Sequence, residues 1–328
     1  MTRPTIYLHI GKNKTGTSAI QHFFNKSREQ MAYFGLLYPV AGCRGEAHYG
    51  VSTALDFVHQ RKKSEDEARM EREQLYEELH GEIRSSGAEK ILISSENFVL
   101  HHDVSAVKNF FYPYEVFVIV YLRRHDTWWE SAYAQAVKMV TNPPWQRGFE
   151  AYLKFQKEKN PKYGNYRILV DRWASVFGRE RIIVRPYEMS QNQPNLLTDF
   201  MNAIGMENAA LMLKPENERL NESVPFQALN LLEFYQRIDV DPATRERLLK
   251  HALALSIKNG RGHIADPASR RNLIEENLAD YAYIARTYMG RSDGKLFTEP
   301  VPDVNSRWAP QKRLSYLRVI EETAKALQ

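Results

Sequence analysis

The run Ile6-Tyr7-Leu8-His9-Ile10-Gly11-Lys12-Asn13-Lys14-Thr15-Gly16-Thr17-Ser18 constrains this chain more than any other stretch. An apolar, strand-like segment stops at Gly11, a short loop of Lys, Thr and Gly follows, and Ala19 to Phe24 read as the opening of a helix. Strand, glycine loop and helix form the geometry that holds phosphate groups. Loop and first-turn N–H groups point at the anion, and the helix dipole adds about half a positive charge there. Gly11, Gly16 and Ser18 have the spacing of the motif G-x-x-x-x-G-K-[ST], but Thr17 stands where the motif has lysine. Lys14, inside the loop, approaches a phosphate from another side. Nucleoside triphosphate hydrolysis is therefore not the natural reading, whereas a phosphate-bearing nucleotide is.

Two further strand ends carry polar chemistry. Tyr114 to Leu122 is the most strand-like run in the chain, and its β-branched and aromatic content predicts a parallel strand covered on both faces. It ends in Arg123-Arg124-His125-Asp126, and a helix from Asp126 to Met139 carries Ser131 eight positions after Arg123. A guanidinium grips phosphate with two donors, and a serine one or two turns into the next helix reaches the same oxygens. The run Lys90-Ile91-Leu92-Ile93 reads as a buried strand and ends in Ser94-Ser95-Glu96-Asn97.

Together these segments resemble sulfotransferases that use 3′-phosphoadenosine 5′-phosphosulfate (PAPS), of the bacterial or carbohydrate type. Gly-Lys-Asn-Lys-Thr-Gly-Thr-Ser is similar to that family's 5′-phosphosulfate loop. Arg123 with Ser131 has the spacing of its 3′-phosphate contact, and Ser94-Ser95-Glu96 looks like its Glu-ending strand. The resemblance covers about residues 5–210. It implies sulfuryl transfer from PAPS, without metal, to a hydroxyl of a saccharide or glycolipid. Lys12, Asn13, Lys14, Thr15, Gly16, Thr17 and Ser18 would hold the 5′ side, and Arg123 and Ser131 the 3′-phosphate. Lys14 would stabilise the leaving phosphate, and Glu96 would be the general base, with His48 as the second candidate. The family often has Asp-Pro after the arginine. Here Arg124-His125 follows, which leaves Arg123 and Arg124 both open as the phosphate contact. A small alcohol or phenol as acceptor, a P-loop kinase using ATP and Mg²⁺, and a silent nucleotide-binding scaffold are the competing readings.

The bulk numbers are those of a soluble globular protein. Hydrophobic residues make up 43% and charged residues 26% of 328, and the net charge of +5 is dispersed. A mild basic excess fits an acidic nucleotide but is too weak to argue for nucleic-acid binding. Cys43 is the only cysteine, so no intrachain disulfide forms, and a reducing compartment is expected. No signal-peptide pattern and no membrane-length apolar run is present, so the resemblance to sulfotransferases implies a cytoplasmic enzyme of bacterial type.

Strands alternate with helices through the first two hundred residues, and Arg181–Arg185 and Asn195–Ile204 add a strand and a helix. The expected fold is α/β, a P-loop-like doubly wound, mainly parallel sheet flanked by helices, with a helical C-terminal extension. Residues 1–328 read as a single domain, 1–210 as its α/β core and 211–328 as helices at Pro225–Arg237, Pro242–Ile257, Ser269–Tyr288 and Gln311–Leu327. Lys258–Arg261 is a basic loop, read as exposed, and His101 and His102 are read as surface residues. His9 is expected in the core, and Trp128 and Trp129 in helix packing.

Overall fold

The structure, a computed structural model, describes residues 3–55, 63–100, 103–215, 224, 226–254, 263–308 and 314–328. His101, His102 and Lys258–Arg261 lie outside the described residues.

Five parallel strands form one open sheet: β1 (Thr5–His9), β2 (Leu36–Leu37), β3 (Lys90–Ser94), β4 (Glu115–Leu122) and β5 (Ile182–Pro186), in the order β2-β3-β1-β4-β5. Tyr7 pairs with Leu92 on one side and Phe117 on the other, and Val118 of β4 pairs with Ile182. The middle strand is thus β1, with β4 beside it. Val118 to Leu122 are each at most 1% exposed, as a near-continuous apolar run requires when helices cover both faces of a sheet. The fold is mixed α/β, consistent with a doubly wound sheet. The chain leaves β1 toward the β3 side first and crosses to the β4 side later. In open sheets of this kind ligands bind beyond the carboxyl ends of the strands at such a reversal, which here falls at β1.

The chain divides into two compact units. One comprises Met1–Arg123, Tyr166–Leu220 and Ala279–Glu299; the other comprises Arg124–Asn165, Asn221–Leu278 and Pro300–Gln328. The first holds the sheet, and its core gathers Ile20, Phe24, Tyr38, Ile119, Tyr121 and Phe200. The second is helical and packs Trp128, Trp129, Tyr133, Tyr152, Leu232 and Leu248 together, which gives both tryptophans the helix-packing role expected of them. Among the described residues no helix is long and apolar enough to cross a membrane.

Local chemistry sets the helix limits. A long helix runs over Glu65–Ser86. Ser64 accepts from the Glu67 N–H while the Glu67 side chain returns to the Ser64 N–H, and Gly87 closes the far end at φ +64°. The helix Leu196–Ala203 begins after Asn195, whose side chain accepts from the Thr198 N–H. The single helix expected over Ser269–Tyr288 is two, Pro267–Glu275 and Leu278–Met289. Asn277 donates its side-chain amide to the Leu273 carbonyl at 2.9 Å and its backbone N–H to Ile274 at 3.0 Å, which takes up the last carbonyls of the first helix. Helices Phe149–Lys159 and Tyr166–Phe177, without a reading from sequence, are also present.

Candidate functional site

The candidate site is built on the loop that follows β1. Gly11 and Gly16 adopt φ +54° and +80°, and Lys14 adopts φ +69°. A Cβ on Gly11 would lie 2.9 Å from the Thr17 Cγ2 and 3.1 Å from the Glu96 Cα; one on Gly16 would lie 2.2 Å from the Leu196 Cδ2. Both positions therefore need glycine. Lys14 has no such relief, and its left-handed backbone costs about 1–2 kcal/mol. Buried Thr15 donates its hydroxyl to the Lys12 carbonyl at 2.5 Å and staples the loop across its base. The helix Thr17–Lys26 then starts with Gly16 as a cap that has no side chain and with no acid in its first turn. Its first N–H groups have no intrahelical acceptor, and no carboxylate on the first turn competes for them. Within this stretch Lys12 and Thr17 are buried, Asn13, Lys14 and Gly16 half-buried, and Ser18 exposed.

Glu96 follows β3 directly and opens a 3₁₀ turn over Glu96–Leu100. Its backbone lies against Gly11, so the sheet order alone brings this carboxylate to the glycine loop. One carboxylate oxygen accepts from the Tyr49 hydroxyl at 2.6 Å and the other from the Gln21 side-chain amide at 2.9 Å.

Arg123 follows β4 on the opposite side of β1. Its guanidinium donates to the Lys14 carbonyl at 3.3 Å and lies 5.7 Å from the centre of the Tyr187 ring. The helix Tyr166–Phe177 braces the arrangement from below. Tyr166 donates to the Arg123 carbonyl at 2.7 Å, its ring centre is 6.0 Å from the Lys12 ammonium, and Arg172 donates to the Val99 carbonyl at 2.5 Å. Burial pushes the Lys12 ammonium down to about 7, and repulsion from Arg172 adds to that. Tyr49, Gln21, Tyr166, Arg172 and Tyr187 carry no local motif; only the tertiary contacts reveal them.

His48, Arg124 and Ser131 have other surroundings. His48 is fully buried; one ring nitrogen lies 3.0 Å from the Pro39 carbonyl and the other accepts from the Ser94 N–H at 3.1 Å. Burial pulls its pKa down to about 4 against the opposing pull of those two bonds. Both nitrogens are committed to backbone, so His48 is a structural clasp with no geometric claim to the role of base. Arg124 is buried and bidentate to Asp126, at 2.9 and 3.0 Å, which commits its guanidinium and leaves Arg123 as the arginine at the loop. Burial raises the Asp126 carboxyl, but Arg124 and Arg270 outweigh it and hold the group below its usual range. Ser131 belongs to the helical unit, half-buried on the helix His125–Met139. His9 is buried as expected, with its ring held at about 3 by burial.

The first unit thus brings together Lys12, Lys14, Arg123, Glu96 and the start of one helix at a single sheet edge. Such a set can bind a phosphate-like dianion and present a carboxylate beside it. Among the described residues no group of three or more His, Cys, Asp or Glu could hold a metal ion.

Comparison with known proteins adds one similarity. No family model matches the chain, and no solved structure matches it. An uncharacterized protein of Archaeoglobus fulgidus is 28% identical over 177 residues, which cover 52% of this chain and 45% of that protein. The chain therefore spans less than half the length of this relative, and what the two share is a stretch of sequence whose activity the relative's name does not state.

Proposed function

We propose that the protein is a PAPS-dependent sulfotransferase with a P-loop-like sheet, acting on a hydroxyl of a saccharide or glycolipid. The observation that carries this reading is the meeting of Lys14, Glu96 and Arg123 around the glycine loop at the carboxyl ends of β1, β3 and β4. The donor set suits a polyanionic nucleotide: two lysines, one arginine and a helix start with no acid in its first turn. When bound, PAPS supplies an activated sulfuryl group.

The chain's own residues do the rest. The Lys14 ammonium and the N–H groups of Thr15 to Ser18 would form a preorganised field for the charge that develops on the leaving phosphate. Glu96, with a lone pair left on each oxygen after the Tyr49 and Gln21 bonds, would accept the proton of the acceptor hydroxyl. Arg123 would hold the 3′-phosphate, and its bond to the Lys14 carbonyl ties that contact to the loop.

The direct test is calorimetry with 3′-phosphoadenosine 5′-phosphate (PAP) beside ATP–Mg²⁺. Micromolar binding of PAP without metal, and none of ATP, is expected; the reverse would replace this reading with the kinase. In the same assay Arg123→Ala should weaken PAP by about 1.5–3 kcal/mol, the worth of a hydrogen bond to a charged group. Unchanged affinity would move the contact elsewhere. Lys12 gives the binding a pH signature. It is charged below about 7 and neutral above, so PAP affinity should fall as pH rises through that value, and Lys12→Met should flatten the curve. An identical slope in the variant would remove Lys12 from the site.

A further inference from the structure

We infer that Gln21 and Tyr49 are positioning residues that clamp the Glu96 carboxylate against the glycine loop. The inference rests on the reading of Glu96 as the base. Gln21 is 4% exposed and stands one helical turn beyond Thr17, on the helix that the loop itself starts. Its side-chain nitrogen reaches Glu96 at 2.9 Å and the Ser94 hydroxyl at 3.3 Å. An ionised carboxylate only accepts, so the amide nitrogen, not its oxygen, faces Glu96.

The anchoring continues into the sheet. The Ser94 hydroxyl lies 2.8 Å from the Nδ1 of His9, which burial keeps neutral. His9 is wedged edge-on to the Phe200 ring at 5.2 Å between centres and to Tyr121 at 6.4 Å. His9, Ser94 and Gln21 therefore form a buried hydrogen-bonded line from the packed core to one oxygen of Glu96.

Tyr49 takes the other oxygen at 2.6 Å. It opens the helix Tyr49–Ala54 immediately after His48, whose ring and backbone N–H both bind Ser94 of β3. The backbone of Tyr49 is thereby pinned to the strand that delivers Glu96. One donor on each oxygen fixes the rotation of the carboxylate while leaving each oxygen room to accept a proton. A general base needs that fixed aim, because reach to the acceptor proton is only about 2.6–3.2 Å. The helix that begins at the anion loop thus also aims the base, so donor site and base move as one body.

The test uses Gln21→Met, Tyr49→Phe and the double variant in the full chain. PAP affinity is measured by calorimetry, and turnover is read as PAP released from PAPS in water and with a panel of saccharide and alcohol hydroxyls. Each single change should lower kcat about tenfold, with KM for PAPS and PAP affinity unmoved. The double variant should fall by less than the product of the singles, because one lost donor already frees the carboxylate. Gln21→Glu, which sets a second carboxylate against the first, should be worse than Gln21→Met. If Gln21→Met fails to fold, Ser94→Ala removes the second anchor of Gln21 together with the hydroxyl's contact to His9, leaves the bond from Gln21 to Glu96, and should give the same split, smaller in size. Wild-type kcat in both single variants would overturn the inference, as would a loss of PAP affinity that matches the loss of kcat. A wild type that binds PAP but releases none from PAPS above the uncatalysed rate would overturn it together with Glu96 as base. A wild type that does not bind PAP would instead overturn the functional reading on which it stands.

Discussion

Lys14→Ala is expected to lower the turnover of PAPS by about 10²–10³-fold, the usual loss when one preorganised donor is taken from a developing negative charge. The reason lies in where the charge sits. Lys14 is half-buried at the turn of the loop, in a left-handed conformation that the surrounding structure holds, with its carbonyl bound by Arg123. Alanine keeps the β-carbon and removes the three methylenes and the ammonium beyond it from a half-buried position, so PAP should bind more weakly by a much smaller factor than the rate falls. The measurement is initial-rate release of PAP across PAPS concentrations, with thermal unfolding as control. Wild-type kcat in this variant would dismiss the lysine from the chemistry.

Glu96→Gln is expected to cost about 10²–10⁴-fold in kcat, the range that general acid–base groups contribute. The substitution preserves size beside Gly11, where the Glu96 backbone leaves no spare room. It cannot preserve the hydrogen bonds. A carboxylate accepts from Tyr49 and Gln21 at once, whereas an amide has one accepting oxygen and sets its own NH₂ against the other donor. PAP affinity should remain at the wild-type value, since the change leaves the loop and Arg123 untouched. A matched loss of affinity and rate would show that Glu96 supports the loop instead of taking a proton.

The part of this architecture that local patterning specifies was visible in the sequence. A polar loop after an apolar strand announced β1 and the helix beyond it, and the run around Ile119 announced a doubly covered strand. The resemblance implied a place for Glu96 near the loop, and the parallel sheet, whose strands share one carboxyl edge, brings it there. What could not be read was long-range company. His48 offered a titratable ring in a turn-rich segment, and only the fold shows both nitrogens spent on Pro39 and Ser94. Arg123 and Arg124 are indistinguishable as neighbours in sequence, yet a carboxylate two residues on captures the second. Gln21, Tyr49, Tyr166 and Arg172 come to the site from helices whose patterning speaks only of packing. The break at Asn277 was hidden because a side-chain amide ended a helix that the periodicity would have continued.

The helix Thr17–Lys26 carries no side-chain cap at its start, and with glycine in that place the omission forgoes only a few tenths of a kcal/mol. A bound anion would fill that place, and the bond network would then pass through the ligand on its way from β1 to the helix. Occupancy and fold stability would then be a single linked equilibrium, in which whatever binds the folded loop also stabilises it.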